Sequence, residues 1–350
     1  MKKNKLSMMA IVVILTMAYA PLSFGAVSPE EAAKLGTTLT LFGAEKAGNK
    51  DGTIPAYTGG LTKPPANYVP NSGRRPDPFA GEKPLFSINA QNMSQYADKL
   101  TEGTKGLMKK YPTYRIDVFK THRTVAYPDL VLKNTVKLAT KARTASDGLI
   151  LKDAHGGFPF PIPKTPYEVM WNHLVRYQGR SSESRAVSNL VDATGRVVPA
   201  AGITIWQEWP YYDEDLTRDD VKNGIFWKIR WIFHAPARKA GEAGQAFDPV
   251  NMALPPGRVA HQYLPGQRRT KLAPQIAFDT PSTDACGEWT YDETWVYNGS
   301  MERYNWKLVG KKEMYVPYNT WQPIHPQRMN STKHHMLTRI ACAGSCTGFG

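Results

Sequence analysis

Arg268 and Arg269 are the residues of this chain best suited to hold an anion. They follow the turn-forming stretch Tyr263-Leu264-Pro265-Gly266-Gln267 and open a basic strand with Thr270 and Lys271. Adjacent strand residues point to opposite faces, so one of the two should face the concave side of a sheet or meet a carboxylate. A guanidinium fork binds phosphate or carboxylate bidentately, which suits the head of an acidic amphiphile. The alternative is an ion pair with Asp279 or Asp292. The second resource is aromatic. Trp227, Trp231, Trp295, Tyr304 and Trp306 recur with period two in stretches that read as strands. A wide, curved antiparallel sheet carrying them on its concave side offers apolar area and few polar handles. An acyl chain or other water-insoluble ligand needs that surface. In this reading those five rings line a cavity and Arg268 or Arg269 neutralises an acidic head; the alternative is that the rings pack as core.

Catalytic patterns are poor. The sequence holds no Gly-x-Ser-x-Gly elbow, His-Glu-x-x-His, phosphate loop or glycine-rich dinucleotide fingerprint. His173, beside Trp171 and Asn172, is the one histidine that could serve as a base, although a buried histidine bonded to backbone explains it as well. Asp213, Glu214, Asp215, Asp219 and Asp220 form an acidic cluster at a Thr217-capped turn, without calcium-ligand spacing. The expectation is no catalytic residue, no metal and no cofactor.

The elements that position these groups read as follows. Ser28-Pro29-Glu30-Glu31 starts a helix through a capping box and ends near Gly36. Residues 62–84 are proline-rich and extended. A helix is expected over Asn92 to Lys110, a strand over Ile116 to Val125, and a helix over Leu130 to Ala145. In Phe158-Pro159-Phe160-Pro161-Ile162-Pro163 the prolines alternate with apolar residues, forcing an extended path plugged into a surface. Glu168 to Arg176 forms a short helix. From residue 185 the period becomes two: Ile225, Trp227, Ile229, Trp231 and Phe233 share one face, with Lys228 and Arg230 on the other. Trp289 to Tyr297 reads as another strand, and Tyr304 to Leu308 pairs with Met314 to Tyr318 across Gly310-Lys311-Lys312. Strands at hairpin spacing imply an antiparallel sheet and an α+β fold.

Composition agrees. The chain has 350 residues, 28 Gly and 27 Pro, too many breakers for a helical bundle. Three cysteines, two of them within the last ten residues, leave disulfides no structural role. Lys2, Lys3 and Lys5 precede an apolar run of about a dozen residues and the small residues Ser23, Gly25 and Ala26, which reads as a cleavable signal peptide over 1–26. No cysteine sits there to carry a lipid. The mature protein is expected in the periplasm. Its net charge falls from +14 to +11 without the three lysines. A basic exported protein meets anionic lipid or acidic polymers rather than nucleic acid, unless the charge only aids solubility.

Several stretches resemble a family of exported proteobacterial proteins called domain of unknown function 1329. They include Gly48-Asn49-Lys50-Asp51-Gly52-Thr53-Ile54-Pro55, Thr121-His122-Arg123-Thr124, Gly157-Phe158-Pro159-Phe160-Pro161-Ile162-Pro163, Trp171-Asn172-His173, Leu264-Pro265-Gly266-Gln267-Arg268-Arg269, Tyr304-Asn305-Trp306-Lys307-Leu308-Val309-Gly310 and Pro317-Tyr318-Asn319. The resemblance implies the open half-barrel of outer-membrane lipoprotein-sorting proteins, a strongly curved antiparallel sheet that binds acyl chains, and it brings no catalytic residues. The expected organisation is 1–26 signal peptide, 27–184 helical and proline-rich part packing on the sheet, 185–320 half-barrel, and 321–350 an aberrant tail expected to be disordered. Relatives continue beyond Asn319 with further strands, whereas Met329 to Gly350 shows no strand period. A frameshift and a naturally short chain both explain this. The functional expectation is non-catalytic binding of a lipid or other hydrophobic compound, as a carrier accessory to envelope transport. The alternatives are an interaction module docking through its sheet edge to an outer-membrane or efflux protein, and a hydrolase using His173.

Overall fold

The computed structural model describes residues 26–319, except 71, 73–75, 193, 275 and 277, together with the backbone of 339–343. The signal peptide expected over 1–26 lies outside the described residues apart from Ala26. So does most of the 321–350 tail, and with it the reading of a shifted frame.

Helix α1 (Pro29–Ala32) starts as its sequence dictates. The Glu31 amide donates to Ser28 Oγ at 3.2 Å and the Ser28 amide to Glu31 Oε2 at 3.4 Å. The loop that follows is pinned by close backbone approach. Gly43 has φ +90°, and a Cβ there would lie 1.8 Å from the Pro161 carbonyl oxygen, so only glycine lets the loop touch the proline plug. Arg123 Nη2 donates to the Glu45 carbonyl at 2.6 Å, and its Nη1 reaches the carbonyls of Lys46, Ala47 and Pro55. Asn49 donates to Glu313 at 3.0 Å and Thr124 to Asn319 at 2.8 Å. The motif segments 48–55, 121–124 and 317–319 thus meet as a clasp, and their sequence signal is structural.

Strand β1 (Phe86–Asn89) pairs antiparallel with β2 (Arg115–Val118). The helix expected between them divides into a 3-10 segment, Met93–Lys99, and α2 (Glu102–Lys110). Thr101 breaks the run by accepting from the Thr104 amide at 3.1 Å, which makes it a fresh N-cap. Strand β2 stops seven residues short of the expected end because Arg123 and Thr124 bond to loops instead. Helix α3 (Asp129–Leu138) is likewise shorter than expected. Arg143–Ala145 forms β3, which turns through left-handed Ser146, Asp147 and Gly148 into β4 (Ile150–Lys152). Helix α4 (Pro166–Leu174) begins at a Thr165/Glu168 capping box with proline in its first turn. Its Asn172 side chain bonds both ways with the Phe160 backbone, at 2.6 and 3.0 Å, and seats the plug.

The expected antiparallel sheet is present and open. Strands β5 (Ser181–Val191), β6 (Val197–Glu208), β7 (Ile225–Ala235), β8 (Ala243–Pro249), β9 (Val259–Leu264) and β10 (Arg269–Leu272) pair in sequence order as a six-stranded meander. A four-residue helix, α5 (Asp219–Lys222), precedes β7. Bulges interrupt β5 at Ser188/Asn189 and β6 at Gly202/Ile203. Two expected strands are corrected. Trp289–Tyr297 is a loop with a 3-10 turn at Tyr291–Glu293 and left-handed Trp295 and Val296, which no strand admits. Tyr304–Leu308 is irregular too, so no hairpin spans Gly310; β11 (Met314–Pro317) pairs instead with β12 (Arg339–Ala343), which runs parallel to β2. A strand therefore lies in the tail, where none was expected.

The main core lies between the plug with α3 and α4 on one side, and the sheet with the 278–306 loop on the other. Trp171, Phe158, Phe160, Tyr211, Tyr212, Phe226 and Trp227 fill it. At its margin the Arg258 guanidinium grips Asp248 with two bonds of 2.7 Å, both side chains almost wholly buried.

Candidate functional site

The period of two decides which side chains share the outer face of the sheet. Glu183, Trp206, Arg230 and Gln245 lie on one cross-strand row, and Ser181, Glu208, Lys228 and Phe247 on the next. These two rows line a groove of about 550 Å³, within the usual size of a small-molecule site.

Its floor consists of two cation–aromatic pairs. Arg230 Cζ stands 4.9 Å from the Trp206 ring centroid, and Lys228 Nζ 5.6 Å from that of Phe247. Trp206 Nε1 donates to Glu183 Oε2 at 2.9 Å, which fixes the indole. Lys228 bonds Asp220 at 2.7 Å and approaches Glu208 at 3.4 Å. Partial burial pulls its ammonium pKa down, but Asp220 and Glu208 outweigh that and hold it above the ordinary lysine value. Arg218 joins the network through Glu208 at 2.7 Å, Asp220 at 3.3 Å and Asp213. The acidic cluster is thus an ion-pair scaffold at one end of the groove. Asp215 stays apart from the pairing and accepts from the Thr217 amide and hydroxyl. Among the described residues Arg230 has no carboxylate partner. The groove therefore offers ring faces, aliphatic stems and one unneutralised cation.

The residues expected to form the site lie elsewhere. Trp227 is 4% exposed in the main core, its Nε1 donating to Gln207 at 3.1 Å and its ring 5.2 Å from that of Trp295. Trp231 packs on the same sheet face against Ile203 and Phe233 and lies beneath Gly244. Trp306 donates to the Met301 carbonyl at 2.8 Å and packs on Tyr297. Tyr304 is half exposed at the rim of that cluster. Arg268 takes a left-handed turn conformation and Arg269 begins edge strand β10; both are exposed, and neither reaches the groove. They also lack a carboxylate partner among the described residues: Asp279 pairs with Arg303 and Asp292 accepts from Thr290.

Sequence reasoning missed Trp206, Arg230 and Phe247. The alternation of Lys228 and Arg230 was visible, but nothing in β7 alone says that Trp206 and Phe247 flank them. The strand register supplies that. His173 is buried, and its Nε2 donates to the Tyr297 carbonyl at 2.8 Å. Burial, then the neighbouring Arg176 charge, push its pKa down to about 4, a poor value for a general base at neutral pH. Among the described residues no group of three His, Cys, Asp or Glu side chains is arranged to hold a metal ion. No helix there is long and apolar enough to cross a membrane.

The profile of a family described as "Protein of unknown function (DUF1329)" matches residues 87–338, most of the chain. The chain belongs to the DUF1329 family. The uncharacterized protein PA3922 of Pseudomonas aeruginosa is 42% identical over 306 residues, which are 86% of this DUF1329 chain and 66% of PA3922. The chain thus spans just under two thirds of that relative's length. No solved structure matches it.

Proposed function

We propose that this DUF1329 chain is a non-catalytic periplasmic binding protein for a lipid or other hydrophobic molecule with an acidic head, accessory to envelope transport. The observation that carries the reading is the groove, where Trp206 and Phe247 lie beneath cationic tips and Arg230 has no carboxylate partner among the described residues. An apolar chain gains contact on the rings and lysine and arginine stems, while Arg230 meets the head. In this reading the open six-stranded sheet curves as a half-barrel, the groove lies on the sheet face turned away from the Trp227 core, and the basic leader directs export. Native mass spectrometry with organic extraction of the protein from a periplasmic fraction tests it. A stoichiometric amphiphile retained by the native chain and lost from Arg230→Ala is the expected result. Apo-protein throughout, from a well-folded preparation, overturns it.

A second reading, docking to an outer-membrane or efflux protein, rests on the β5 edge. Its eleven residues, SSESRAVSNLV, contain neither lysine nor proline, and Val187 is 62% exposed. Natural edges are commonly blunted by such residues, and a bare one accepts another strand. Val187→Lys should abolish co-purification of an envelope partner without loss of fold; an unchanged complex rejects the edge as the contact.

A further inference from the structure

A second unbalanced cation lies on the other face of β7, beyond Trp227. Arg176 follows the last turn of α4. Its Nη1 donates to the His173 carbonyl at 2.8 Å, and its Cζ stands 4.4 Å from the centroid of Trp295, the ring stacked edgewise on Trp227. Tyr127, Tyr177 and Tyr212 complete an aromatic wall, with centroids 6.3 Å apart for the first pair and 5.0 Å for the second.

Nothing charged opposes this guanidinium among the described residues. The groups that act on it electrostatically are the phenols of Tyr212 and Tyr127. Burial raises the Tyr127 phenol to about 12 and lifts Tyr212 well above the ordinary phenol value, so both are neutral at physiological pH. His173 is neutral there as well. Arg176 is itself partly buried, and that burial pulls its pKa down to about 10. A cation withdrawn from water costs several kcal/mol unless an anion or enough acceptors compensate. Two other arginines, the buried Arg258 and the part-buried Arg123, show what compensation looks like. Arg258 holds Asp248 bidentately, and Arg123 is ringed by four backbone carbonyls. Arg176 has one carbonyl. Its bond to the end of α4 resembles a helix cap, yet it leaves most of the fork without a partner among the described residues.

We propose that Arg176 is the recognition group of an oxyanion site, taking a carboxylate or phosphate oxygen pair in its fork over Trp295, with the Tyr127 hydroxyl as a neutral neighbouring donor. Planar guanidinium fits such a ligand bidentately, and the aromatic wall suits an anion attached to an apolar body. The site is separate from the groove and stands whether or not the groove binds an amphiphile.

Thermal unfolding in inorganic phosphate against chloride at matched ionic strength tests the assignment. Phosphate near ten times its dissociation constant should raise the midpoint of the native chain by about 2–4 °C. Arg176→Gln should lose that rise and have a midpoint in chloride no lower than the native chain. Arg176→Lys, which keeps charge but not the fork, should keep a smaller rise. No rise in the native chain, or an equal rise in both variants, overturns the proposal. So does a drop of equal size for Arg176→Gln in both salts, because that is the behaviour of a helix cap alone. Co-sedimentation with vesicles of phosphatidylcholine, with and without phosphatidylglycerol, identifies the source. Capture by the anionic vesicles that needs Arg176 assigns a lipid head, whereas a phosphate-dependent rise without capture assigns a free oxyanion.

Discussion

The imidazole of His173 on α4 donates from Nε2 to the carbonyl of Tyr297, 124 residues further along, at 2.8 Å. This bond ties the helical part to the loop covering the sheet, with Nε2 carrying the proton it donates.

Stability should fall on mild acidification, because the buried site disfavours the charged imidazolium. Burial first, then the Arg176 charge, lower the folded pKa of His173 to about 4 from the ordinary 6.5. The unfolded chain takes up the proton first as pH drops, so the contribution is whole above 6.5 and lost between there and 4. The full difference is about 3 kcal/mol. Urea unfolding at pH 7 and pH 4.5 measures it, and His173→Gln should flatten that part of the profile. An equal slope in both proteins would assign the acid sensitivity elsewhere.

Gly43→Ala should be among the most damaging exchanges in the N-terminal part. A methyl group would meet the Pro161 carbonyl at a left-handed backbone position, at a cost of about 3 kcal/mol or more. Gly52 is also left-handed, at φ +68°, but has no atom within 4 Å of a built Cβ. Gly52→Ala should cost only about 1 kcal/mol. Chemical denaturation of the pair separates backbone strain from close packing.

Breaking the Asp248–Arg258 pair should cost about 3–5 kcal/mol, because Asp248→Ala leaves a buried guanidinium between Trp227 and Phe278 without its counter-charge. Replacing both partners with leucine and methionine should recover most of the loss. A double variant no more stable than the single would mean that the two ions hold the local geometry itself.

Trp206 and Trp227 should divide binding from folding. Trp227→Ala empties a core position and should cost about 3–5 kcal/mol. Trp206→Ala should leave the unfolding midpoint within a few degrees while weakening ligand retention, read by native mass spectrometry. A reversal of these effects would return the ligand to the Trp227 side.

How far the sequence could be read differs along the chain. The strands around β7 were legible because Lys228 and Arg230 alternate with Trp227, Ile229 and Trp231, although a bulge buries Phe226 beside Trp227, and the α1 cap because Ser28 and Glu31 are spaced for it. Trp289 to Tyr297 shows the same alternation without a strand, since periodicity carries no trace of the left-handed turn at Trp295 and Val296. Helix α3 ends at Leu138, short of the expected Ala145, because Arg143–Ala145 pairs with Ile150–Lys152, a pairing that local apolar spacing does not reveal. For the site, composition marks aromatics and arginines as the chemistry available. Only the pairing of β6, β7 and β8 tells Trp206 beside Arg230 from Trp227 in the core.

The clasp joining Asn49 to Glu313 and Glu45 to Lys311 closes spans of 264 and 266 residues. Chain closure over such distances is slow and comes late. Residues 43–55 can meet Arg123 and Pro161 early, but their ties to Lys311 and Glu313 form only once the far end of the described chain has been made.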